Sequence, residues 1–303
     1  KQLMLFFSIS LCAWAQTGQG RISGTLTDSS GALLPNGNVT AIDSKTGAKR
    51  EVPADAKGYY TITNLAPSTY TITATASNFA PAEVKDYPLS AGQERTLNLS
   101  LQPGTVATEI NVVAGDLTEV ETASASMGAN VNAREVGTLP LNGRQLSQLY
   151  LLTPGAQTAG GGSFDNIRFS GRANQQNAVR FDGIEGSSII DASPGNLNGE
   201  ISTGFRLQSS LETVAEFRVE SSNYPAEYGT GTGGQISVVT KSGSNSFHGG
   251  LFEYLRNSNL DAADFFTNKQ RAVKNPLHRN QFGGTIGGRI WRDHTFFFAS
   301  YEG

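Results

Sequence analysis

The sequence predicts a mainly β, multidomain protein: a small β-sandwich, then a compact α+β domain, then a region of long amphipathic strands. Three observations predict this fold class. The 303 residues are enough for two or three domains at about 100 to 200 residues each. Glycine is abundant, at 35 residues, and only 16% of residues are charged, which favours strands and turns over long helices. Runs that alternate apolar and polar residues recur along much of the chain.

Residues 1–15 are predicted to be a secretory signal peptide. Lys1 gives a positive start, residues 3–12 form a short apolar run, and Ala13-Trp14-Ala15 matches an A-x-A cleavage site. About a dozen apolar residues are too few to span a bilayer. Cleavage would remove Cys12, the only cysteine, and with it any disulfide, thiolate nucleophile or cysteine metal site. A buried N-terminal element and acylation of Cys12 are the alternatives.

Residues 16–102 predict a small β-sandwich, because turn signals recur about every 8 to 12 residues. In TYTITATA (residues 69–76) apolar side chains alternate with threonines, as in a half-buried antiparallel strand. The runs RISGTLTD, NVTAID, GYYTIT and TYTITATA resemble, in this order, a carboxypeptidase regulatory-like domain. The resemblance implies a seven-stranded, prealbumin-like sandwich of the carbohydrate-binding-like type, without peptidase activity. Pro67-Ser68 stands where that family usually has Pro-Gly.

Residues 119–245 predict a compact α+β domain, because short helical stretches alternate with strands. Leu146, Leu149 and Leu152 recur at a spacing of three, which indicates a short amphipathic helix. The stretch SSLETVAEFRVES (residues 209–221) is helix-like as well.

Three stretches of this region resemble the plug of TonB-dependent outer-membrane receptors. They are LPLNGR (residues 139–144), the segment 168–183 that ends in Phe-Asp-Gly, and YGTGTGGQISVVTKSG (residues 228–243), which is the most specific. In that family the last stretch ends where the plug hands over to the barrel. The residues that carry these motifs are Asn142, Gly143, Arg144, Asp182, Gly183, Gly233, Gly234, Thr240 and Lys241.

Residues 246–303 contain three candidate strands, FHGGLFEYLRN, RNQFGGTIGGRI and TFFFASYEG. Their alternation fits either a soluble antiparallel sheet or a transmembrane β-barrel. LDAADFFTN, NQFGGTIGG and TFFFASYEG resemble the early barrel of the Oar-like branch of TonB-dependent receptors, with Arg289 in place of the usual Pro. The resemblance implies the first strands of an incomplete transmembrane β-barrel. Three strands cannot close a barrel, so we expect the chain to be an N-terminal fragment.

Residues 103–118 are predicted to be a linker that contains EINVVAG (residues 109–115), a short extended apolar segment. Its place between the sandwich and the plug resembles that of the TonB box. This box pairs as an added strand with TonB, the inner-membrane energy-coupling protein that works with ExbB and ExbD, and strand addition requires free backbone groups. The resemblance gives this role to Glu109, Ile110, Asn111, Val112, Val113 and Ala114, and a plain linker is the alternative.

No catalytic, cofactor-binding or metal-binding group is readable in the sequence. The glycines of GTGTGGQ (residues 229–235) precede the strand-like run ISVVT, whereas a phosphate-binding loop needs a helix there, so they indicate a tight turn. The histidines lack the spacing of a zinc site, and two carboxylate pairs lack the density of a calcium loop: His248, His278, His294, Asp182 with Glu185, and Asp261 with Asp264. A net charge of −3 gives no reason to expect a nucleic-acid partner.

The resemblance therefore implies an outer-membrane TonB-dependent receptor for energised uptake of an unidentified substrate, with the plug gating the barrel and the sandwich in the periplasm. The expected partners are TonB with ExbB and ExbD, outer-membrane lipid and an unknown extracellular ligand. Segments 159–164 and 187–198 are expected at the apex of the plug. The alternative is a surface receptor or adhesin that uses the same scaffold without transport. A secreted enzyme would need a catalytic group that we do not find.

Overall fold

The computed structural model describes residues 19–104, 108–110, 126–139, 141, 144, 146–158, 167–173, 176–186, 210–225, 228–229 and 231–303. The predicted signal peptide, residues 1–15, lies outside the described residues, as do segments 159–164 and 187–198. The chain divides into two compact units, Lys1–Lys241 and Ser242–Gly303, and each is described by itself.

The first unit begins with a two-sheet β-sandwich. Its strands are β1 Gly20–Asp28, β2 Asn38–Asp43, β3 Lys49–Pro53, β4 Tyr59–Leu65, β5 Ser68–Thr75, β6 Ala82–Leu89, β7 Glu94–Thr96, β8 Leu99–Leu101 and β9 Thr108–Ile110. One sheet has the order β4-β1-β7, with β8 also paired to β1, and the other has the order β3-β2-β5-β6-β9. The sandwich fold predicted from the sequence is confirmed.

A single hydrophobic core lies between the two sheets. Ile22 and Leu26 of β1 and Ile72 and Ala74 of β5 are fully buried, whereas the residues that alternate with this face, Ser23, Thr25 and Thr73, are partly exposed. Side chains on a strand point alternately to its two faces, so a period of two in the sequence becomes one buried face per sheet. Burial of these side chains supplies the main favourable term for folding of the sandwich.

The seventh strand that the resemblance implies is interrupted, so two short strands, β7 and β8, stand in its place. Both pair in parallel with β1, and Leu97 and Asn98 separate them. The Leu97 N–H donates to the Ser23 carbonyl at 2.7 Å, and Asn98 Oδ1 accepts from the Thr25 N–H at 3.0 Å. Gly24 permits this approach, because a Cβ there would lie 1.8 Å from the Leu97 carbonyl oxygen.

An α+β region follows within the same unit. Its elements are β10 Met127–Val131, α1 Ala133–Thr138, α2 Ser147–Tyr150, β11 Ala156–Thr158, β12 Ile167–Phe169, β13 Ala178–Phe181, β14 Ile184–Glu185, β15 Val214–Ser222 and β16 Gln235–Thr240. Five strands form one sheet in the order β10-β15-β16-β13-β14, and β11 pairs with β12. Asn132 caps α1 through a capping box with Glu135, which explains where this short helix begins.

The five-stranded sheet of the α+β region has one apolar and one polar face. On the apolar face, Phe217 pairs with Val238, and Tyr150 packs edge-on against Phe217 with ring centroids 5.4 Å apart. The polar face is buried as well, and it carries Arg180, Arg218, Glu220, Gln235 and Ser237.

Residues 210–221, the described part of the stretch 209–221, do not form the expected helix. A 3-10 turn at Leu211–Thr213 leads directly into β15, which lies between β10 and β16. Hydrogen bonding on both edges of a central strand outweighs the local helical preference of this stretch. The helix at residues 146–152 is also shorter than predicted: α2 ends at Tyr150, and Leu152 is 56% exposed.

The second unit is a three-stranded antiparallel sheet. Its strands are β17 His248–Asn257, β18 His278–Trp291 and β19 Thr295–Glu302, in the order β17-β18-β19, with α3 Phe265–Lys269 between the first two. The three strands predicted for this region are confirmed to within one or two residues.

This three-stranded sheet is amphipathic, with an exposed apolar face. Cross-strand register places Leu251 opposite Gly284, and Gly284 opposite Tyr301. The large side chains on that face are exposed, from 51% for Phe282 to 94% for Leu251, and the others are Leu255, Ile286 and Tyr301. The opposite face is mixed: it carries the polar residues Gln281, Thr285, Arg289, Ser300 and Glu302 together with the aromatic residues Phe252, Tyr254, Phe296 and Phe298. In the part of the chain that the structure describes, no helix is both long and apolar enough to cross a membrane.

Candidate functional site

The predicted plug motifs meet where β13 and β16 lie side by side. Asp182 and Gly183 form the tight turn between β13 and β14, with φ angles of 49° and 84°. The Asp182 carboxylate accepts hydrogen bonds from Thr240 at the end of β16: from its N–H at 2.9 Å and from its hydroxyl at 2.7 Å. Two motifs that are 58 residues apart in the sequence are therefore joined by one side chain.

Gly233 and Gly234 allow close contact at the other end of β16. A Cβ on Gly234 would lie 2.3 Å from the Phe169 ring, and one on Gly233 would lie 2.4 Å from Asn177 Oδ1. Asn177 is buried, accepts the Gly234 N–H at 2.8 Å, and donates to the Ile167 carbonyl at 2.8 Å. The run GTGTGGQ thus leads into a strand, as predicted, and its buried partner Asn177 was not expected from the sequence.

Arg144 of the LPLNGR motif lies against the turn that precedes β15. Its φ is 58°, and its Nη2 lies 2.8 Å from Glu212 Oε1, with both side chains largely buried. Asn142 and Gly143 of the same motif lie outside the described residues. Lys241, which follows β16, donates its backbone N–H to the Thr213 carbonyl at 2.7 Å. Thr213, the neighbour of Glu212, therefore holds the end of β16.

The predicted TonB box begins in strand β9. Glu109 and Ile110 belong to β9, which pairs in parallel with β6: Ala82 opposite Thr108, Glu83 opposite Glu109, and Val84 opposite Ile110. The box was predicted as an extended segment, and its first two residues are extended. Asn111, Val112, Val113 and Ala114 lie outside the described residues.

The buried charges of the polar face were not identified from the sequence. Arg218 Nε lies 2.9 Å from Glu220 Oε1, and Arg180 donates to Gln235 Oε1 at 2.8 Å. The Arg180 guanidinium also lies 5.4 Å from the centre of the Tyr228 ring. The signal was present in the alternating run EFRVE, which places three charged side chains on one face of β15.

Glu216 extends this polar face to the sandwich. Its carboxylate accepts a hydrogen bond from the backbone N–H of Ala91, in the turn between β6 and β7. Burial raises the pKa of Glu216 above its ordinary value, and this outweighs the lowering effect of the Ala91 N–H, Lys45, Asn130 and Arg218.

The three histidines and the second carboxylate pair lie at the ends of strands, in a turn or beside a short helix. His248 and His278 are the first residues of β17 and β18, and His294 lies in the turn before β19. Asp264 caps α3, and Asp261 lies 3.7 Å from Arg256. Across the described ranges, no group of three or more His, Cys, Asp or Glu residues could hold a metal ion.

Two family models match the chain. One, described as a carboxypeptidase regulatory-like domain, matches residues 21–102, and the other, described as an outer membrane beta barrel domain, matches residues 239–303. The first range covers β1 to β8, and the second covers the end of β16 and the three-stranded sheet.

The chain is also similar to the TonB-dependent transporter Oar of Myxococcus xanthus. The two are 27% identical over 278 residues, which are 87% of this chain and 24% of that relative, so the chain spans about a quarter of its length. Similarity to a transporter agrees with the prediction that the protein is not an enzyme.

Two solved structures have partial likeness to the chain. A point mutant of the ferric enterobactin receptor of Pseudomonas aeruginosa is 18% identical over 55% of this chain and 22% of that one, with a TM-score of 0.38. Catechol 1,2-dioxygenase of Acinetobacter is 11% identical over 30% of this chain and 59% of that one, with a TM-score of 0.24. At these scores neither likeness bears on function. The chain is thus similar to a TonB-dependent outer-membrane transporter of the Oar type, and it contains a carboxypeptidase regulatory-like domain and part of an outer-membrane β-barrel domain.

Proposed function

We propose that this protein takes up a substrate across the outer membrane with energy supplied through TonB, and that the α+β region is the plug that gates the barrel. The observation that carries the proposal is similarity to a TonB-dependent transporter over 87% of the chain. The order of the parts supports it: a sandwich, a short extended segment, a compact α+β region and amphipathic strands.

In this proposal the sandwich lies in the periplasm and residues 109–114 pair with TonB as an added strand. TonB, together with ExbB and ExbD, transmits energy from the inner membrane. Lipid surrounds the exposed apolar face of β17 to β19, because a transmembrane barrel presents apolar side chains outward and polar ones to its lumen.

The arrangement of the five-stranded sheet indicates how a pull on residues 109–114 would act. Among the described residues, the first strand after the box is β10, which lies at the edge of the sheet and pairs with β15 over only five residues. A force that enters from the N-terminal side would separate this short edge strand first. The Asp182–Thr240 contact would hold β13 and β16 together at the same time. We therefore propose that gating begins at β10.

The proposal is tested by replacing residues 109–115 with a Gly-Ser segment of equal length, which keeps the spacing and removes the box. Cells carrying the wild-type or the altered protein are compared for uptake of a panel of labelled oligosaccharides, peptides and ferric siderophores. Some compounds will enter cells only when the wild-type protein is present. We expect these compounds not to enter cells that carry the altered protein. A Gly-Ser replacement of residues 116–118 is the matched control and should retain uptake.

Unchanged uptake after replacement of residues 109–115 would contradict energised transport through this box. If no panel compound is taken up, but binding of one to the cell surface requires the protein and survives the replacement, the surface receptor or adhesin is the correct alternative.

A further inference from the structure

Strand β9 places the start of the predicted TonB box in the sheet of the sandwich. All three of its residues are paired with β6, and β6 pairs with β5 on its other edge. Strand β6 of the sandwich therefore holds β9 by backbone hydrogen bonds between strands. Strand addition by TonB would use the same kind of hydrogen bonds.

The chain just before β9 is fastened to the sandwich. The Ala80 N–H donates to the Gln102 carbonyl at 2.9 Å, and Phe79 and Pro103 form an isolated bridge. The Gly104 N–H donates to the Asn78 carbonyl at 3.4 Å. Only three residues, 105–107, separate this anchor from β9, so β9 is held at a high effective concentration beside β6.

The pairing itself is short enough to be reversible. It covers three residues and is parallel, and parallel pairs are slightly less stable per residue than antiparallel ones. By contrast, β5 and β6 pair over most of their length. The β6–β9 pair is therefore the strand pair in this sheet that an incoming strand would separate most easily.

We propose that the edge of β6 is an internal docking site that masks the start of the TonB box, and that TonB takes up this segment by displacing β6. The inference rests on the proposed function, because it assumes that residues 109–114 bind TonB. It assigns the sandwich a role: the domain lowers the affinity for TonB until the strand is released.

A reversible disulfide between β6 and β9 tests this proposal. Glu83 and Glu109 are directly opposite, and neighbouring strands lie about 4.8 Å apart, within the reach of a disulfide. The variant E83C with E109C is purified with the whole chain in detergent and compared in its oxidised and reduced forms. Cys12, the only native cysteine in this sequence, lies in the predicted signal peptide, whose cleavage would remove it before pairing.

The probe is the purified periplasmic domain of TonB, and the readout is its dissociation constant. We expect oxidation to weaken binding at least about tenfold, the factor expected when two or three hydrogen bonds can no longer be exchanged, and reduction to restore it. The matched control is T40C with T73C, which locks two opposite residues of β2 and β5 in the same sheet and should change nothing. The single variants E83C and E109C show the effect of each substitution by itself.

The outcomes separate this inference from the proposed function. Equal or tighter binding by the oxidised form overturns masking, and tighter binding would mean that the sandwich presents the strand to TonB. If wild-type protein binds TonB and the Gly-Ser replacement of residues 109–115 binds equally well, the box itself is wrongly assigned and both proposals fail. If that replacement abolishes binding while the lock has no effect, only the masking proposal fails.

Discussion

The carboxylate of Glu216, on strand β15 of the α+β region, accepts a hydrogen bond from the backbone N–H of Ala91 in the sandwich. The two residues are 125 apart in the sequence. Ala91 is fully buried, and a Cβ on the neighbouring Gly92 would lie 3.4 Å from Arg218 Cδ. The turn at residues 90–93 is therefore held against the polar face of the five-stranded sheet, and a titratable group lies at the centre of this contact.

Replacement of Glu216 by Gln should strengthen the contact and make it insensitive to pH. Burial raises the pKa of Glu216, so the folded state holds the proton more tightly than the unfolded state. Stability from this group is therefore fully present below the ordinary pKa of a glutamate, and it is lost as pH rises from there through the raised pKa. Gln keeps an acceptor oxygen without the buried charge, so we expect E216Q to be more stable than the wild type at pH 8.

The measurement is protection of the Ala91 amide in hydrogen exchange, corrected for intrinsic rates. Wild-type protection should be lower at pH 8 than at pH 5, whereas E216Q should be equally protected at both. The control E51Q removes a carboxylate that is 45% exposed beside Lys49, and it should leave Ala91 unchanged. Wild-type protection that rises with pH would contradict the assigned sign.

Substitution of Gly24 by Ala should destabilise the sandwich by about 3 kcal/mol, because the added Cβ would collide with the Leu97 carbonyl oxygen where β7 ends. The measurement is the free energy of unfolding in denaturant. Gly137 of α1 is the matched control, since a Cβ there meets nothing within 4 Å. G137A should stabilise by about 0.5 to 1 kcal/mol. Equal effects of the two substitutions would show that β1 does not require the close approach.

Removal of the Asp182 carboxylate should weaken the junction between the β13–β14 turn and the end of β16. D182A loses two hydrogen bonds to Thr240, and we expect a loss of about 2 kcal/mol in the free energy of unfolding. A double-mutant cycle with T240V should give a coupling energy of about 1 kcal/mol. T240S keeps the hydroxyl and should lose much less, and additive effects of D182A and T240V would argue against a direct interaction.

Ile286 and Thr285 lie next to each other on opposite faces of the three-stranded sheet and test which face meets lipid. I286R places a charge on the exposed apolar face and should cost about 2 to 4 kcal/mol, enough to reduce assembly into the outer membrane. T285R places the same charge on the polar face and should be tolerated. The measurement is the fraction of membrane protein that keeps folded mobility in unboiled gel electrophoresis, and the reverse order of the two variants would invert the assigned faces.

Much of the fold could be predicted from local patterns. The alternation in TYTITATA and in RNQFGGTIGGRI predicts β5 and β18, because a period of two depends only on which face of a strand is buried. Turn residues separate the strands for equally local reasons, as Asp182 and Gly183 do between β13 and β14. The helix predicted at residues 209–221 was wrong, because β15 is set by hydrogen bonding to strands on both of its edges, and no local pattern contains those partners.

The sequence by itself determined the strands of the sandwich, the amphipathic strands β17 to β19 and the glycine-rich turn before β16. Tertiary structure decided which distant groups meet: Asp182 with Thr240, Asn177 with Gly234, Glu216 with Ala91, and β9 with β6. The physical reason is that a strand exposes hydrogen-bonding groups along its edges whatever its side chains are, so the neighbour it takes depends on the packing of the whole domain. That packing placed the start of the predicted TonB box beside β6 in the sheet of the sandwich.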